Sequence, residues 1–67
     1  MKLSTRNQLA GKVKDVKLGT IMSEVTVDIG GQVITAAITR GSVEELELAS
    51  GDDVTVLIKA TEVMLGK

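Results

Sequence analysis

Hydrogen-bond donors are concentrated at three places in the sequence. Residues 4–7 (Ser-Thr-Arg-Asn) supply two hydroxyls, a guanidinium and a side-chain amide, and residues 39–42 (Thr-Arg-Gly-Ser) supply two hydroxyls and a second guanidinium. The second stretch lies where a helix is predicted to begin, and the free N–H groups at such a position favour an anion. Lys59, predicted at the end of a strand with its side chain pointing away from the core, is the third candidate.

Each of these groups also has an ordinary structural interpretation. A polar stretch such as residues 4–7 is commonly frayed, and an exposed lysine such as Lys59 needs no ligand. Ser42 and Glu45 have the spacing of a capping box, which would engage the Ser42 hydroxyl at the start of a helix. The residue types alone therefore leave both interpretations open.

The composition argues against an enzyme. The chain has no histidine and no cysteine, so it lacks an imidazole base, a thiolate nucleophile and a soft-metal site. The acidic pairs Glu44–Glu45 and Asp52–Asp53 fall in the first turn of a helix and in a turn, where carboxylates are ordinarily solvated. We predict a binding protein with no catalytic residues and no bound metal cation.

Charge and aromatic content argue against two further classes of protein. Eight basic and nine acidic residues give a net charge of -1, so no strong general attraction for nucleic acid or anionic lipid is expected. Proteins that bind single strands stack the bases on aromatic side chains, and this chain has no Phe, Tyr or Trp. No apolar run resembles a signal peptide or a membrane span. We expect a cytoplasmic protein that binds neither nucleic acid nor membranes.

Apolar and polar residues alternate over most of the chain, which is the pattern of half-buried strands. Strands are predicted at residues 9–18, 25–29, 34–39, 54–58 and 61–66. Gly30-Gly31 predicts a tight hairpin turn, and Gly11 predicts a bulge or bend within the first strand. A short helix is predicted from Ser42 to Leu46, with Val43 and Leu46 on one face.

The element order predicts an all-β fold, a five-stranded OB-like barrel with one short helix after the third strand. Sixty-seven residues make a single domain. So short a chain buries a small share of its surface and is commonly stabilised by disulfides, a metal or association. Because the sequence offers neither of the first two, we predict a homo-oligomer.

Three segments carry a resemblance to a known family. They are residues 4–13 (Ser-Thr-Arg-Asn-Gln-Leu-Ala-Gly-Lys-Val), 38–46 (Ile-Thr-Arg-Gly-Ser-Val-Glu-Glu-Leu) and 51–66, which begins Gly-Asp-Asp-Val and includes Ile-Lys-Ala-Thr-Glu. With these segments the whole chain resembles the molybdate-binding Mop proteins, or molbindins, and the related domains of transporter ATPases and of a molybdate-responsive repressor. The family usually begins Ser-Ala-Arg-Asn, so Thr5 is a departure, which is tolerated if that position acts through its backbone N–H.

The resemblance implies that residues 1–67 form one Mop-type domain and that the barrels assemble as a hexamer, a trimer of dimers. It further implies that molybdate or tungstate is bound at subunit interfaces for intracellular storage or homeostasis. The family's oxyanion contacts would fall on Ser4, the N–H of Thr5, Arg6, Thr39, Ser42, Lys59 and the N–H of Ala60. The alternative is an oligomeric β-barrel that serves as an interaction or regulatory module without a bound ion.

Overall fold

Four strands, one short helix and one 3-10 turn make up the fold in a computed structural model that describes residues 1–67. The elements are β1 (Asn7–Lys17), β2 (Met22–Asp28), β3 (Val33–Thr39), α1 (Arg40–Glu45), β4 (Asp53–Ile58) and the 3-10 turn Ala60–Glu62. The strands form one antiparallel sheet in the order β3-β2-β1-β4. The predicted all-β class is confirmed.

The period-two pattern places alternate side chains on the inner face of the sheet. Val13, Val25, Val27 and Val43 are buried and form the core, with further aliphatic side chains packed around them. Side chains from all four strands, together with Leu46 and Leu48, line an inner cavity of about 240 Å³. Since one cavity contacts every strand, the sheet must curl around it in the manner of an incomplete barrel.

The predicted fifth strand at residues 61–66 is wrong. Its first part is the 3-10 turn, in which the Glu62 N–H donates to the Lys59 carbonyl at 2.9 Å. The remainder pairs with no strand, and Met64 and Leu65 are 91% and 96% exposed. A strand requires a hydrogen-bonded neighbour as well as an alternating sequence, and this chain supplies no neighbour for the segment.

Gly11 does not form the predicted bulge. The register of β1 against β2 shifts between Val13 and Asp15, so the irregularity lies three residues further along the chain. Gly11 is required for a different reason: a Cβ at this position would lie 2.5 Å from Val27 Cγ1 and 3.0 Å from the Asp28 carbonyl oxygen. The glycine therefore permits close packing of β1 on β2.

The hairpin turn between β2 and β3 forms at Gly30-Gly31, where the sequence predicts it. Gly30 and Gly31 both have a φ of 95°, a region that L side chains rarely adopt. The Asp28 carboxylate accepts hydrogen bonds of 2.9 Å from both glycine N–H groups. These two bonds, with a smaller effect from Lys14, hold the pKa of Asp28 below its ordinary value.

The helix begins earlier than the capping-box spacing predicts. Thr39 is the N-cap, since it is extended and its hydroxyl accepts from the Ser42 N–H, and α1 starts at Arg40. Ser42 therefore lies inside the first turn. Val43 is buried as predicted, whereas Leu46 ends the helix and is 66% exposed, so these two residues do not share a buried face.

A left-handed residue terminates α1. Glu47 has a φ of 52°, the only positive value outside glycine. Its N–H donates to the Glu44 carbonyl, and the Leu48 N–H donates to the Val43 carbonyl, both at 3.1 Å. This pair of bonds is the Schellman motif, which usually has glycine in the left-handed position. Neither helical element has the length and apolar character needed to cross a membrane.

Candidate functional site

The first and third donor groups lie together where β1 begins and β4 ends. Asn7 pairs with Ile58 across the two strands. The Thr5 hydroxyl and the Asn7 side-chain amide both donate to the Ile58 carbonyl oxygen, at 3.1 and 3.0 Å. Residues more than fifty positions apart in sequence are thereby adjacent. We name this region the lysine corner, defined by Ser4, Thr5, Arg6, Lys59 and Ala60.

The lysine corner contains two cations without an acidic partner. The chain forms two salt bridges, Lys12–Asp53 and Arg40–Glu44, and neither includes Arg6 or Lys59. Ser4, Arg6, Lys59 and Ala60 are all exposed, and Thr5 is half-buried. Because these charges are neither paired nor buried, they are free to form charge-assisted hydrogen bonds with an anion.

The second donor group lies where β3 ends and α1 begins, and we name Thr39 and Ser42 the helix corner. The Thr39 hydroxyl accepts from the Ser42 N–H at 3.1 Å and donates to Ser42 Oγ at 2.8 Å. Arg40 lies between them in sequence, but its Nε donates to Glu44 Oε1 at 2.8 Å. The helix corner therefore offers hydroxyl groups with little net positive charge.

The two corners lie at diagonally opposite ends of the sheet. β1 begins beside Ile58 of β4 and ends beside β2, with Lys17 opposite Glu24. Thr39 pairs with Met22, beyond that second end and on the outer edge formed by β3. Ten residue steps of β1 separate the two ends, about 33 Å of strand at about 3.3 Å per residue. No hydrogen bond or salt bridge joins the two corners within one chain.

Of the three donor groups in the sequence, the structure thus brings the first and the third together and holds the second apart. Ser4, Thr5, Arg6, Lys59 and Ala60 are neighbours, whereas Thr39 and Ser42 are neighbours of each other only. The residue types did not indicate that Asn7, in the same donor run, links that run to β4. This link depends on the strand register that places Asn7 opposite Ile58, and residue types do not reveal the register.

Comparison with known proteins identifies the family. The model of the TOBE domain matches residues 3–65. Molybdenum-pterin-binding protein 1 of Clostridium pasteurianum is 48% identical over 66 residues, which are 97% of each chain. The predicted resemblance to the Mop family is confirmed by this match.

Solved structures agree with the fold as well as the sequence. The molybdate-binding protein of Sporomusa ovata is 46% identical, with a TM-score of 0.95 over the whole of both chains. The cytoplasmic molybdate-binding protein ModG, solved with molybdate bound, is 38% identical with a TM-score of 0.86, over 90% of this chain and 43% of its own. By sequence and by fold, the chain belongs to the TOBE domain family and to the Mop family of molybdenum-pterin-binding proteins.

Proposed function

We propose that this chain binds molybdate or tungstate in the cytoplasm as a non-catalytic protein of oxyanion storage or homeostasis. Residues 1–67 act as one Mop-type domain. The proposal is carried by one observation: the unpaired cations Arg6 and Lys59 adjoin the hydrogen bonds that link Thr5 and Asn7 to the Ile58 carbonyl. Family membership supports it, because the related proteins of Sporomusa ovata and ModG are molybdate-binding proteins.

The chemistry of the ligand fits a set of donors. Molybdate at neutral pH is a fully deprotonated dianion that only accepts hydrogen bonds. The groups proposed to bind it can all donate them, and they are Ser4, Arg6, Lys59 and backbone N–H groups. Hydrogen bonds to charged groups contribute roughly 1.5–3 kcal/mol each, which offsets the cost of removing the dianion from water. Phosphate retains a proton near neutral pH and would place one donor against another. Sulfate has the same charge as molybdate and must be rejected by size.

The oxyanion itself is the better ligand for this chain than a pterin. Related proteins carry the name molybdenum-pterin-binding protein. A flat heteroaromatic ring is usually held by stacking on aromatic side chains, and this chain has none. The donors of the lysine corner suit a small tetrahedral anion without such a platform.

We infer that each site is shared between copies of the chain. Thr39 and Ser42 lie at the opposite end of the sheet from Arg6 and Lys59, so one ion can contact both corners only if they belong to different copies. Incomplete burial supports association, because five of 67 residues are buried and Met64 and Leu65 are almost fully exposed. A hexamer arranged as a trimer of dimers is the proposed assembly.

The exposed apolar surface also favours a second candidate function. Large hydrophobic side chains in the loops, at the C-cap of α1 and beyond β4 are exposed, and they include Leu18, Ile21, Leu46, Met64 and Leu65. A surface of this kind fits an oligomeric interaction module that binds no ion. The two candidates predict the same assembly and differ in whether an oxyanion is retained.

Equilibrium dialysis against molybdate, tungstate, sulfate and phosphate tests the proposal, together with the mass of the protein in solution. We expect molybdate and tungstate to be retained through gel filtration by an oligomer, and sulfate and phosphate to be lost. An oligomer that retains none of the four anions would support the interaction module. A monomer that retains molybdate would contradict the shared site.

A further inference from the structure

Two edges of the sheet have no neighbouring strand. In the order β3-β2-β1-β4 the outer strands are β3 and β4, and no backbone hydrogen bond joins them. An edge strand presents unpaired N–H and C=O groups that can pair with another strand. Both outer strands also line the inner cavity, to which β3 contributes Ala36 and Ile38 and β4 contributes Val54 and Val56. The barrel is therefore open between β3 and β4, and the opening leads to apolar side chains.

The segment that follows the 3-10 turn lacks a neighbour as well. Its first residue, Val63, has extended backbone angles, with a φ of -79° and a ψ of 129°. No backbone hydrogen bond involves residues 64–67, and Met64 and Leu65 are almost fully exposed. Leaving such side chains in water forgoes about 25 cal/mol for each Å² of apolar surface that could be buried. The segment thus begins as a strand does, but nothing in its own chain pairs with it.

We propose that residues 63–66 of one copy enter the opening between β3 and β4 of a second copy and close its barrel as a fifth strand. Each copy has one opening and one unpaired segment, so a two-fold exchange fills both openings at once. β3 has seven residues and β4 has six, which is long enough for the entering strand to pair along its whole length. This strand lies in another copy, unlike the one predicted within a single chain, which is wrong.

The alternation of an extended strand determines which side chain enters the cavity. Neighbouring side chains point to opposite faces, so Val63 and Leu65 share one face and Met64 lies on the other. Apart from Thr55, the cavity is lined by valine, isoleucine, leucine and alanine side chains, and Val63 and Leu65 match this set. Leu65 therefore enters the cavity of the second copy, and Met64 stays on the outer surface.

The exchange bears on the proposed function because the segment continues directly from the lysine corner. Only Thr61 and Glu62 separate Ala60 from Val63, so a segment fixed in a second copy holds the lysine corner close to that copy. The exchange itself requires no ligand. Its effect on oxyanion binding rests on the proposed function and deepens it, because it names the contact through which two copies share a site.

The test compares Leu65→Asn with Met64→Asn in the full chain. Both side chains are almost fully exposed in the single chain, so neither change disturbs its packing, and neither alters the charge near Lys59. Leu65→Asn places an amide in the apolar cavity of the second copy, which is costly without a hydrogen-bond partner, whereas Met64→Asn keeps the amide in water. Sedimentation velocity without oxyanion measures assembly, and equilibrium dialysis measures molybdate binding.

We expect the protein concentration at which half the chains are assembled to rise about a hundredfold in Leu65→Asn, since each exchange loses an apolar contact and buries an amide. In Met64→Asn it should equal the wild-type value. At a concentration where Leu65→Asn is dissociated, its molybdate affinity should be at least tenfold lower than that of Met64→Asn, about 1.4 kcal/mol. Circular dichroism checks the fold of each variant.

Hydrogen exchange of the wild-type chain tests the same strand if Leu65→Asn fails to fold. The amides of residues 63–66 should be protected in the oligomer and exchange freely on dilution to the monomer. Amides that stay unprotected in the oligomer would overturn the exchange. Protection in a monomer would also overturn it, because the segment would then have folded back onto its own chain.

The outcomes separate the exchange from the proposed function. If Leu65→Asn and Met64→Asn assemble alike and the wild type retains molybdate, the exchange is overturned and the proposed function stands. If Leu65→Asn alone loses assembly and the wild type retains no oxyanion, the exchange is upheld and the proposed function fails.

Discussion

The lysine corner and the helix corner both present hydrogen-bond donors, but different interactions hold them. The lysine corner is fixed by bonds from Thr5 and Asn7 to Ile58, across 53 and 51 positions of sequence. The helix corner is fixed by a cap between Thr39 and Ser42, three positions apart. One corner therefore forms only when the sheet pairs β1 with β4, and the other depends on a single turn of local structure.

The two corners also differ in charge. Arg6 and Lys59 have no acidic partner, whereas Arg40 beside the helix corner is paired with Glu44. We propose that the lysine corner supplies the electrostatic attraction for a dianion and that the neutral hydroxyls of the helix corner shape the site.

The largest expected effect comes from removing a cation of the lysine corner. Arg6→Ala or Lys59→Ala should weaken molybdate binding at least tenfold, about 1.4 kcal/mol, and leave the fold intact. Isothermal titration calorimetry measures the affinity and circular dichroism the fold. Arg40→Ala is the matched control, because its charge is already neutralised by Glu44. An equal loss of affinity for Arg40→Ala would contradict the proposed difference between the corners.

A mixing experiment tests whether one ion contacts corners from two copies. Arg6→Ala and Ser42→Ala chains, each weak by itself, are unfolded together and refolded at equal concentration. With random exchange about a quarter of the sites should combine two intact corners and recover wild-type affinity. Arg6→Ala mixed with Lys59→Ala is the control and should recover nothing, since no chain then has an intact lysine corner.

Thr39→Val tests the local cap of the helix corner. Valine cannot accept from the Ser42 N–H, and loss of an N-cap costs about 1 kcal/mol of stability. Urea unfolding without oxyanion, at fixed protein concentration, measures the difference in unfolding free energy. Thr35→Val, an exposed position of the same strand, should have little effect. If both variants unfold alike, the cap does not hold the helix corner.

Glu47→Gly should stabilise the end of α1. A residue with an L side chain is strained at a φ of 52°, and glycine relieves that strain while losing more chain entropy, so a net gain of about 0.5 kcal/mol is expected. Urea unfolding measures it, and molybdate affinity should be unchanged. A loss of stability would show that the Glu47 side chain makes a contact more important than its backbone strain.

The smallest effect concerns the hairpin, which belongs to neither corner. The pKa of Asp28 is lowered in the folded chain, so its contribution to stability is present above its unfolded pKa and is lost as the pH falls through the folded value. Between pH 6 and pH 2, wild type should therefore lose more stability than Asp28→Asn. Thermal unfolding across this range measures the difference, and identical profiles would contradict the assignment.

The strands could be predicted from sequence because their pattern is local. Alternation at residues 25–29 and 54–58 and the pair Gly30-Gly31 specify strand and turn without information from elsewhere in the chain. The fifth strand could not be judged in this way, because alternation at residues 61–66 says nothing about a partner. The helix start was misplaced for a different, local reason, since Thr39 and Ser42 both have side chains able to cap.

The candidate site was predictable as a set of donors but not as an arrangement. Residue types predict that Arg6, Lys59 and Ser42 donate hydrogen bonds to an anion. Their separation into two corners follows from the strand order β3-β2-β1-β4, which depends on long-range pairing. The hydrogen bond from Asn7 to Ile58 depends on the exact pairing register of β1 and β4, because a shift of one position would turn the Asn7 amide away from Ile58.

The Ile58 carbonyl, which accepts hydrogen bonds from the side chains of Thr5 and Asn7, belongs to the same peptide group as the Lys59 N–H. Two donors on the oxygen draw electron density through the conjugated peptide unit and strengthen its N–H as a donor. The Lys59 amide proton should resonate downfield in a heteronuclear correlation spectrum and move upfield in Thr5→Val or Asn7→Ala. A nuclear magnetic resonance signal would then report the electronic state of this peptide group before any ion is added.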